Sequence, residues 1–319
     1  VVEFITCADK DFYLRLFETT ASVDHLMQLS IKPIPANYHS EEEIFASIKM
    51  QYIQPELREG RTEVSLAQGN KIPELIEMKD LRGILHNHST YSDGMNTLAD
   101  MAIYCKELGY EYLGICDHSQ SAFYAEGLKP DRVLAQHAEI EELNKKLFPF
   151  KIFKGIESDI LNDGSLDYSE DILKTFDFIV ASVHSNLKMN EEKATTRLIK
   201  AIENPYTTIL GHPTGRLLLS RAGYPIDHKK VIDACAANGV IIELNAHPYR
   251  LDIDWRWIPY CLEKGVKISI NPDAHEKSGY HDMYYGTCVA RKGMLTKDMC
   301  FNSLSLNELE RFFSNRKKG

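Results

Sequence analysis

The chain has 319 residues, 44% of them hydrophobic and 26% charged, and its formal net charge at pH 7 is −9. A chain of this length and composition can bury a large core in one or two domains, so an intrinsically disordered protein is excluded. The negative charge argues against a broad surface that holds nucleic acid by bulk electrostatics, although a local basic track stays compatible with it.

The first 80 residues are predicted to form a small, mainly helical segment that ends in a linker. Ser40 is a favourable N-cap, and the glutamates at 41–43 that follow it suit the first turn of a helix. Polar stretches punctuated by proline and glycine, at 54–61 and 68–73, indicate a linker. We therefore expect one segment at 1–78 and a larger domain at 79–319.

Beyond residue 80, short apolar runs alternate regularly with helical stretches. The predicted strands are 83–88, 112–116, 151–157, 178–184, 207–211, 240–245 and 266–271. The helices between them include 97–108, 130–147, 191–203, 227–238 and 255–264. Seven strand-then-helix units in about 190 residues imply a parallel sheet with right-handed crossovers, which places the chain in the α/β class.

Histidines and carboxylates stand at or just beyond the end of almost every predicted strand. They are His86, His88, Asp93, His118, Glu157, His184, His212, Asp273 and His275. Because side chains alternate along a strand, His86 and His88 point to the same face, and so do Asp273 and His275 if the chain is still extended there. In a (β/α) barrel the carboxyl ends of the strands converge on one rim, where active sites are built. The pattern therefore predicts a site there and favours a barrel over an open sheet.

The chemistry of these side chains predicts a metal centre. Histidine nitrogens and carboxylate oxygens without a thiolate suit Zn²⁺, Mn²⁺ or Fe²⁺. Nine candidate ligands exceed what one ion can use, so two or three divalent ions are predicted, with Glu157 as a bridging carboxylate. Clustered ions of this kind typically serve phosphoryl chemistry. We therefore expect a metal-dependent phosphoesterase in which a bridging hydroxide attacks phosphorus.

Several sequence motifs together resemble a known family. They are LHNHSTYSDG at 85–94, DHS at 117–119, GIE at 155–157, SVH at 182–184, GHPTGR at 211–216, NPDAH at 271–275 and, less strongly, NAHPYRLD at 245–252. In combination they resemble the PHP (polymerase and histidinol phosphatase) superfamily, and in particular the C-terminal PHP domain of bacterial family X DNA polymerases. The similarity covers nearly all of residues 80–319.

This resemblance implies a distorted (β/α)₇ TIM-like barrel with a trinuclear metal site. By analogy, the ligands of the three ions would be His86, His88, Glu157 and Asp273 for the first, Glu157, His184 and His212 for the second, and Asp93, His118 and His275 for the third. Polymerase-linked PHP domains act as 3′–5′ exonucleases or 3′-phosphatases, often with Mn²⁺. The implied substrate is therefore the 3′ end of single-stranded or gapped DNA.

Residues 1–80 are similar to the end of the thumb and the linker of that polymerase family. The sequence upstream of the PHP motifs contains no palm motif, which would be a Gly-Ser pair followed by Asp-x-Asp. We therefore expect no polymerase activity in this chain. We also expect it to be the C-terminal part of a longer family X polymerase, whose remainder would be its partner.

Four of the polar residues near the strand ends are candidates for catalysis or for phosphate contact. Asp93 and His212 are predicted to be essential for turnover, with Arg216 absorbing the charge that develops on phosphate. Arg216 and Lys188 both follow strand ends and could grip a phosphate. Asp117 is out of phase with the histidine after it and is predicted to be structural.

Other residues near the strand ends could contact or orient a substrate. Tyr91 and Tyr124 lie in rim loops and could stack on bases, with ordinary loop packing as the alternative. Asn245 shares a face with Glu243 and could orient ligands or substrate, or form a buried hydrogen-bonded pair. Asp159 is predicted to lie in a solvated loop.

Two other functions stay open at this point. One is a small-molecule phosphatase of the histidinol-phosphate type, which an acidic chain without a long basic track would suit. The other is a non-catalytic module whose metals only brace a polymerase. An intact ligand set argues against the second, since structural metal sites need far fewer ligands.

Cysteine usage and the apolar runs favour a cytoplasmic protein. The seven cysteines are scattered and form no CxxC pair, which argues against a disulfide framework or a zinc finger and favours a reducing cytosol. No apolar run approaches the roughly 18 residues of a membrane span. The first residues show no signal peptide. We expect no membrane partner.

Overall fold

Residues 2–29 and 32–316 are described by the computed structural model, which divides into two units, Val1–Glu74 and Leu75–Gly319. The division falls four residues before the boundary predicted from the sequence. Ile76 explains the difference, because it is fully buried and its N–H donates to the carbonyl of Leu295 at 2.9 Å. Residues 75–78 therefore belong with the second unit.

The first unit is mainly helical, as its sequence predicts. Its helices are α1 (Phe12–Thr20), α2 (Val23–Gln28), α3 (Glu41–Ser47) and α4 (Glu63–Gln68). The predicted start of α3 is confirmed, because the Ser40 hydroxyl accepts a hydrogen bond from the N–H of Glu43 at 3.3 Å.

The stretch 54–61, predicted to be a linker, instead packs into the first unit. Arg58 is 1% exposed, and its guanidinium lies 5.2 Å from the ring centre of Phe17 and 5.3 Å from that of Phe45. It also bonds to the Glu41 carboxylate at 2.5 Å. The polar stretch that suggested a linker therefore contains an arginine that forms a buried ion pair and packs on aromatic rings.

The second unit alternates strands and helices along its whole length. Its elements are β1 (Gly83–Ile84), α5 (Leu98–Glu107), β2 (Tyr112–Ile115), α6 (Pro130–Leu147), β3 (Lys151–Lys154), β4 (Glu157–Asp159), α7 (Glu170–Leu173), β5 (Val180–Ser182), α8 (Glu191–Ile202), β6 (Ile209–Leu210), α9 (His228–Asn238), β7 (Ile241–Asn245), α10 (Ile258–Glu263), β8 (Ile268–Asn271), α11 (Met283–Lys292) and α12 (Leu306–Arg316). No helix in the described ranges is long and apolar enough to cross a membrane.

The strands form two parallel sheets that join into a ring. Their orders are β1-β2-β3 and β4-β5-β6-β7-β8. Parallel bridges between His118 and Glu157, and between Asn87 and Ala274, link the two sheets at both junctions. Strands β3 and β4 are the two parts of the single strand predicted at 151–157. The predicted α/β class and distorted TIM-like barrel are therefore confirmed.

The amino-terminal end of the barrel interior is apolar. Phe178 lies at its centre, against the backbone of Gly114 and Gly155, since a Cβ on either glycine would come within 2.4 Å of the Phe178 ring. Phe301 and Phe313, from the C-terminal part of the unit, close this end. The apolar end is a packed core, so a site can form only at the opposite, carboxyl-terminal end of the strands, called the rim below.

Candidate metal centre

The nine side chains predicted as metal ligands meet at the rim around Glu157. Its Oε1 lies 3.1 Å from His184 Nε2, 2.9 Å from His212 Nε2 and 3.4 Å from His86 Nε2. Its Oε2 lies 3.0 Å from His118 Nδ1. One fully buried carboxylate is therefore surrounded by histidines that come from different strand ends.

Two further carboxylates extend this cluster. Asp273 Oδ1 lies 3.0 Å from His88 Nε2 and 3.5 Å from His86 Nε2. Asp93 lies 3.4 Å from His275 Nε2 and 3.7 Å from His118 Nε2. The nine side chains form one continuous network, which is called the rim cluster below.

Within the rim cluster, three groups place their ligand atoms close enough to share an ion. In each group these atoms lie within 4.8 Å of one another; the groups are His88, Asp93, His118 and His275, then His86, His88, Glu157 and Asp273, then His118, Glu157 and His184. The second group has the same four members as the first ligand set implied by the family resemblance. The third differs from the implied set, because His118 joins Glu157 and His184 in place of His212.

The hydrogen bonding of the cluster fits metal ions. Several of its buried atoms make no hydrogen bond to the described residues; they are His86 Nε2, His88 Nδ1, His118 Nδ1, His212 Nδ1 and Glu157 Oε2. His118 Nδ1 and Glu157 Oε2 lie 3.0 Å apart, but this contact is not a hydrogen bond. Leaving a buried polar atom unsatisfied costs about 1–3 kcal/mol. Coordination would satisfy such atoms, so the residues present suit divalent cations.

A second layer of acceptors orients the imidazoles. Glu243 Oε1 lies 2.6 Å from His86 Nδ1, and Asp159 Oδ1 lies 2.5 Å from His184 Nδ1. The carbonyl of Asp273 lies 2.9 Å from His275 Nδ1. When Nδ1–H donates to such an acceptor, the lone pair sits on Nε2, which in each case faces the cluster.

Asp159 supports the candidate site, a position that its sequence context did not predict. It was predicted to lie in a solvated loop, but it is 4% exposed and holds His184 in place. Its other oxygen accepts from the Ser121 hydroxyl at 3.0 Å. The available signal was its spacing, since residue 159 lies two positions after Glu157 and shares its face of the strand.

The electrostatics of the cluster keep its carboxylates ionised. Burial alone raises the pKa of Glu157, but the surrounding His184, His86 and His118 outweigh burial and hold that pKa well below its usual range. Burial likewise opposes ionisation of Asp93, yet the hydrogen bond from His275 and the other nearby histidines lower its pKa to about 2. The carboxylates are therefore in the form that binds metal.

Asp117 organises the loop that carries Asp93. Its carboxylate accepts from the N–H and the hydroxyl of Ser89 at 2.8 and 2.7 Å, from the Ser92 hydroxyl at 2.6 Å and from Gln136 Nε2 at 2.6 Å. This buried carboxylate is saturated with donors, so its contacts are those of a structural residue.

Arg216 is placed differently from its predicted role in gripping phosphate. Its Nε donates to the carbonyl of Arg250 at 2.8 Å, and its terminal nitrogens bond to the Leu251 carbonyl and to Asp254. All three nitrogens are engaged by the loop after β7. Arg250 itself lies at the cluster, with Nε 3.3 Å from Asp273 Oδ2. Arg216 thus positions the backbone of the arginine that faces the site.

The remaining predicted substrate contacts divide into two kinds. Tyr124 lies at the rim, 69% exposed, with its ring centre 6.0 Å from that of His118. Lys188 is exposed in the loop after β5. Tyr91 donates its hydroxyl to Glu139 at 2.7 Å, and Asn245 donates to Asp273 Oδ2 at 3.1 Å. Tyr124 is therefore exposed beside a candidate ligand, whereas Asn245 orients one.

Two bacterial proteins are similar to this chain in sequence. The chain is 37% identical to the DNA polymerase/3′-5′ exonuclease PolX of Bacillus subtilis over 98% of its own length, and it spans 57% of the length of that relative. It is 27% identical to a probable phosphatase of Thermoanaerobacter pseudethanolicus, over 70% of this chain and 97% of that protein.

A solved structure and a family model place the fold. The histidinol phosphate phosphatase of Lactococcus lactis, complexed with zinc, L-histidinol and phosphate, superposes with a TM-score of 0.50 at 15% identity, over 66% of this chain and 93% of the other. At this identity the likeness concerns the fold alone. The model of the PHP domain matches residues 85–247. The chain therefore belongs to the PHP family.

Proposed function

We propose that this chain is a metal-dependent phosphoesterase that hydrolyses DNA 3′ ends, as a 3′–5′ exonuclease, a 3′-phosphatase or both. The observation that carries the proposal is the rim cluster, in which buried nitrogens without hydrogen-bond partners surround ionised carboxylates. Many convergent ligands with room for a substrate are typical of catalytic metal sites rather than structural ones.

The nine members of the rim cluster would hold two or three ions, which we propose to be Mn²⁺ or Zn²⁺, with Fe²⁺ as a further candidate. Glu157 would be the carboxylate shared between ions, because both of its oxygens face histidines. When bound, such ions supply an activated water and neutralise charge on the phosphoryl group. Asp93 and His212 complete the ligand set, which is why both are assigned as essential for turnover.

The chain's own residues position the phosphate. Arg250 lies beside the cluster, with Nε 3.3 Å from Asp273 Oδ2, and its two terminal nitrogens have no hydrogen bond in the described structure. A guanidinium can grip phosphate oxygens with two parallel bonds. Hydrolysis then forms a bond from a water oxygen to phosphorus, breaks the P–O3′ bond and transfers a proton to the departing O3′.

DNA as the substrate is supported by the Bacillus relative, whose name describes a 3′–5′ exonuclease, and by exposed aromatic side chains at the rim. We also propose that residues 1–78 are a thumb-like segment with a linker and that 79–319 are the phosphoesterase domain. The partner in the same polypeptide would then be the rest of a family X polymerase, while the part present here carries no polymerase activity.

A small-molecule phosphatase is the second candidate. The specific observation in its favour is the probable phosphatase of Thermoanaerobacter pseudethanolicus, since the alignment covers 97% of that protein and 70% of this chain. A net charge of −9 also suits a small substrate better than a long nucleic acid.

One experiment separates the two candidates. A 5′-labelled single-stranded oligonucleotide and p-nitrophenyl phosphate are incubated with the chain in Mn²⁺, Zn²⁺ or chelator. Shortening of the oligonucleotide that needs the ion and is lost in Asp93→Ala and His212→Ala supports the DNA reading. Asp171→Ala and His39→Ala, at exposed positions, are the matched controls. Hydrolysis of the small ester alone would assign the chain to the small-molecule phosphatases.

A further inference from the structure

Two cavities open at the rim, and each one touches the rim cluster. The first, called the Tyr124 cavity, has a volume of about 670 Å³. Its wall includes Phe123 and Tyr124, which are 85% and 69% exposed, and it meets the cluster at His184. Two exposed aromatic rings beside a candidate ligand form a platform on which a base can stack.

The second, called the Tyr249 cavity, has a volume of about 610 Å³. Its wall includes Leu219, fully exposed, and Tyr249, 60% exposed, and it meets the cluster at Asp273 and His275. Arg250 also lines it. Each cavity falls in the size range of small-molecule sites, about 300–1,000 Å³.

The two cavities occupy different halves of the rim. Loops after β2, β4 and β5 form the Tyr124 cavity, whereas loops after β6, β7 and β8 form the Tyr249 cavity. Strand order around the ring follows chain order, so these loops belong to separate arcs. The cavities share no wall residue, and the rim cluster lies where both of them end.

Two reactions are possible at a DNA 3′ end, hydrolysis of a 3′-phosphomonoester and hydrolysis of a phosphodiester. The number of nucleosides that the site must hold distinguishes them. Both reactions break the P–O3′ bond. A 3′-phosphomonoester carries a nucleoside on one side of phosphorus only, whereas a phosphodiester carries a nucleoside on each side. A site for the monoester needs one base platform, and a site for the diester gains from two.

We propose that the Tyr124 and Tyr249 cavities hold the two nucleosides that flank a scissile phosphodiester, with the phosphate on the rim cluster between them. The inference rests on the proposed function and narrows it to exonucleolytic cleavage of the terminal diester. Tyr124 and Tyr249 are the stacking residues, each for one base.

The test uses Tyr124→Ala, Tyr249→Ala and the control Tyr284→Ala, which removes a 58% exposed tyrosine from α11 outside both cavities. We measure kcat/KM in Mn²⁺ for a single-stranded tetranucleotide and for p-nitrophenyl phosphate. The tetranucleotide is also made with an abasic site at the terminal or the penultimate position. Binding of the labelled tetranucleotide in chelator is followed by fluorescence anisotropy.

Each cavity variant should lower the ratio of tetranucleotide to small-ester kcat/KM by roughly five- to 100-fold, the effect of one lost stacking contact. The loss should disappear on one abasic substrate for Tyr124→Ala and on the other for Tyr249→Ala. Binding in chelator should weaken in both variants, and Tyr284→Ala should match the unmodified chain. Melting temperatures close to that of the unmodified chain show that the variants are folded.

Unchanged ratios in both variants, or sensitivity of both variants to the same abasic position, would overturn the two-nucleoside assignment while DNA hydrolysis itself stands. A chain that hydrolyses p-nitrophenyl phosphate but never the tetranucleotide would instead overturn the proposed function, and this inference with it.

Discussion

The two ends of the barrel interior are built by the same strands and have opposite characters. At the amino-terminal end, Phe178 packs with Phe301 and Phe313 in an apolar cluster. At the other end of the same strand segment, His184 faces Glu157 at 3.1 Å. His184 lies only six positions after Phe178, so position along the strand decides which physical role a buried side chain takes.

The energetics of the two ends also differ. Burial of apolar surface stabilises the fold by about 25 cal/mol per Å². Burial of charged and unpartnered polar groups opposes folding unless a counter-ion satisfies them. We therefore expect substitutions at the apolar end to lower the free energy of unfolding and leave the activity unchanged. Substitutions at the rim should lower the activity without lowering the free energy of unfolding.

The largest effect is expected for Glu157→Gln. The neutral amide cannot bridge cations, so activity should fall by about three orders of magnitude, because the metal supplies several kcal/mol of transition-state stabilisation. Added Mn²⁺ should raise the melting temperature of the unmodified chain, since only the folded state binds it, and that rise should vanish in the variant. Full activity in Glu157→Gln would show that Glu157 is not an essential ligand of the metal centre.

Phe178→Ala tests the apolar end. Loss of a fully buried ring should lower the free energy of unfolding by about 3–5 kcal/mol, measured by urea denaturation. The metal-dependent activity per folded molecule should stay close to that of the unmodified chain. Tyr284→Ala, on the surface of α11, is the control for loss of an aromatic ring. A collapse of activity without a loss of stability would contradict the separation of the two ends.

Asp159→Asn addresses the second layer of the rim. The amide can still accept from His184 but no longer stabilises the imidazole with a negative charge, so metal affinity should fall by roughly 10–100-fold. A Mn²⁺ titration of activity measures this shift in midpoint. Asp171→Asn, at an exposed position, should leave the midpoint unchanged. An unchanged Mn²⁺ midpoint in Asp159→Asn would show that the charge of Asp159 does not affect metal binding.

The smallest effects concern the two arginines. Arg250→Ala should lower kcat/KM by roughly tenfold, the loss of one charge-assisted contact to phosphate. Arg216→Lys should have a smaller effect, roughly threefold and chiefly on KM, because Arg216 acts through the backbone that carries Arg250. A larger loss of kcat/KM in Arg216→Lys than in Arg250→Ala would show that Arg216, and not Arg250, contacts the phosphate.

Much of the fold follows from local patterns in the sequence. Each of the seven predicted strands has a paired segment in the ring, and α6 has the predicted bounds Pro130–Leu147. Strand and helix periodicity depends on neighbours along the chain, which is why a single sequence contains it. The convergence of His86, Glu157 and Asp273 was also predictable, because parallel strands bring their carboxyl ends to one rim.

Only the tertiary structure decided which polar groups face the site and which support it. Arg216 and Arg250 both follow strand ends, and nothing local distinguishes them, yet one binds backbone carbonyls and the other lies beside Asp273. Asp159 is a partner of His184 rather than part of a solvated loop, and Arg58 is buried in a core rather than part of a linker. These outcomes depend on contacts between residues distant in sequence, whose geometry is set by loop paths and packing rather than by periodicity.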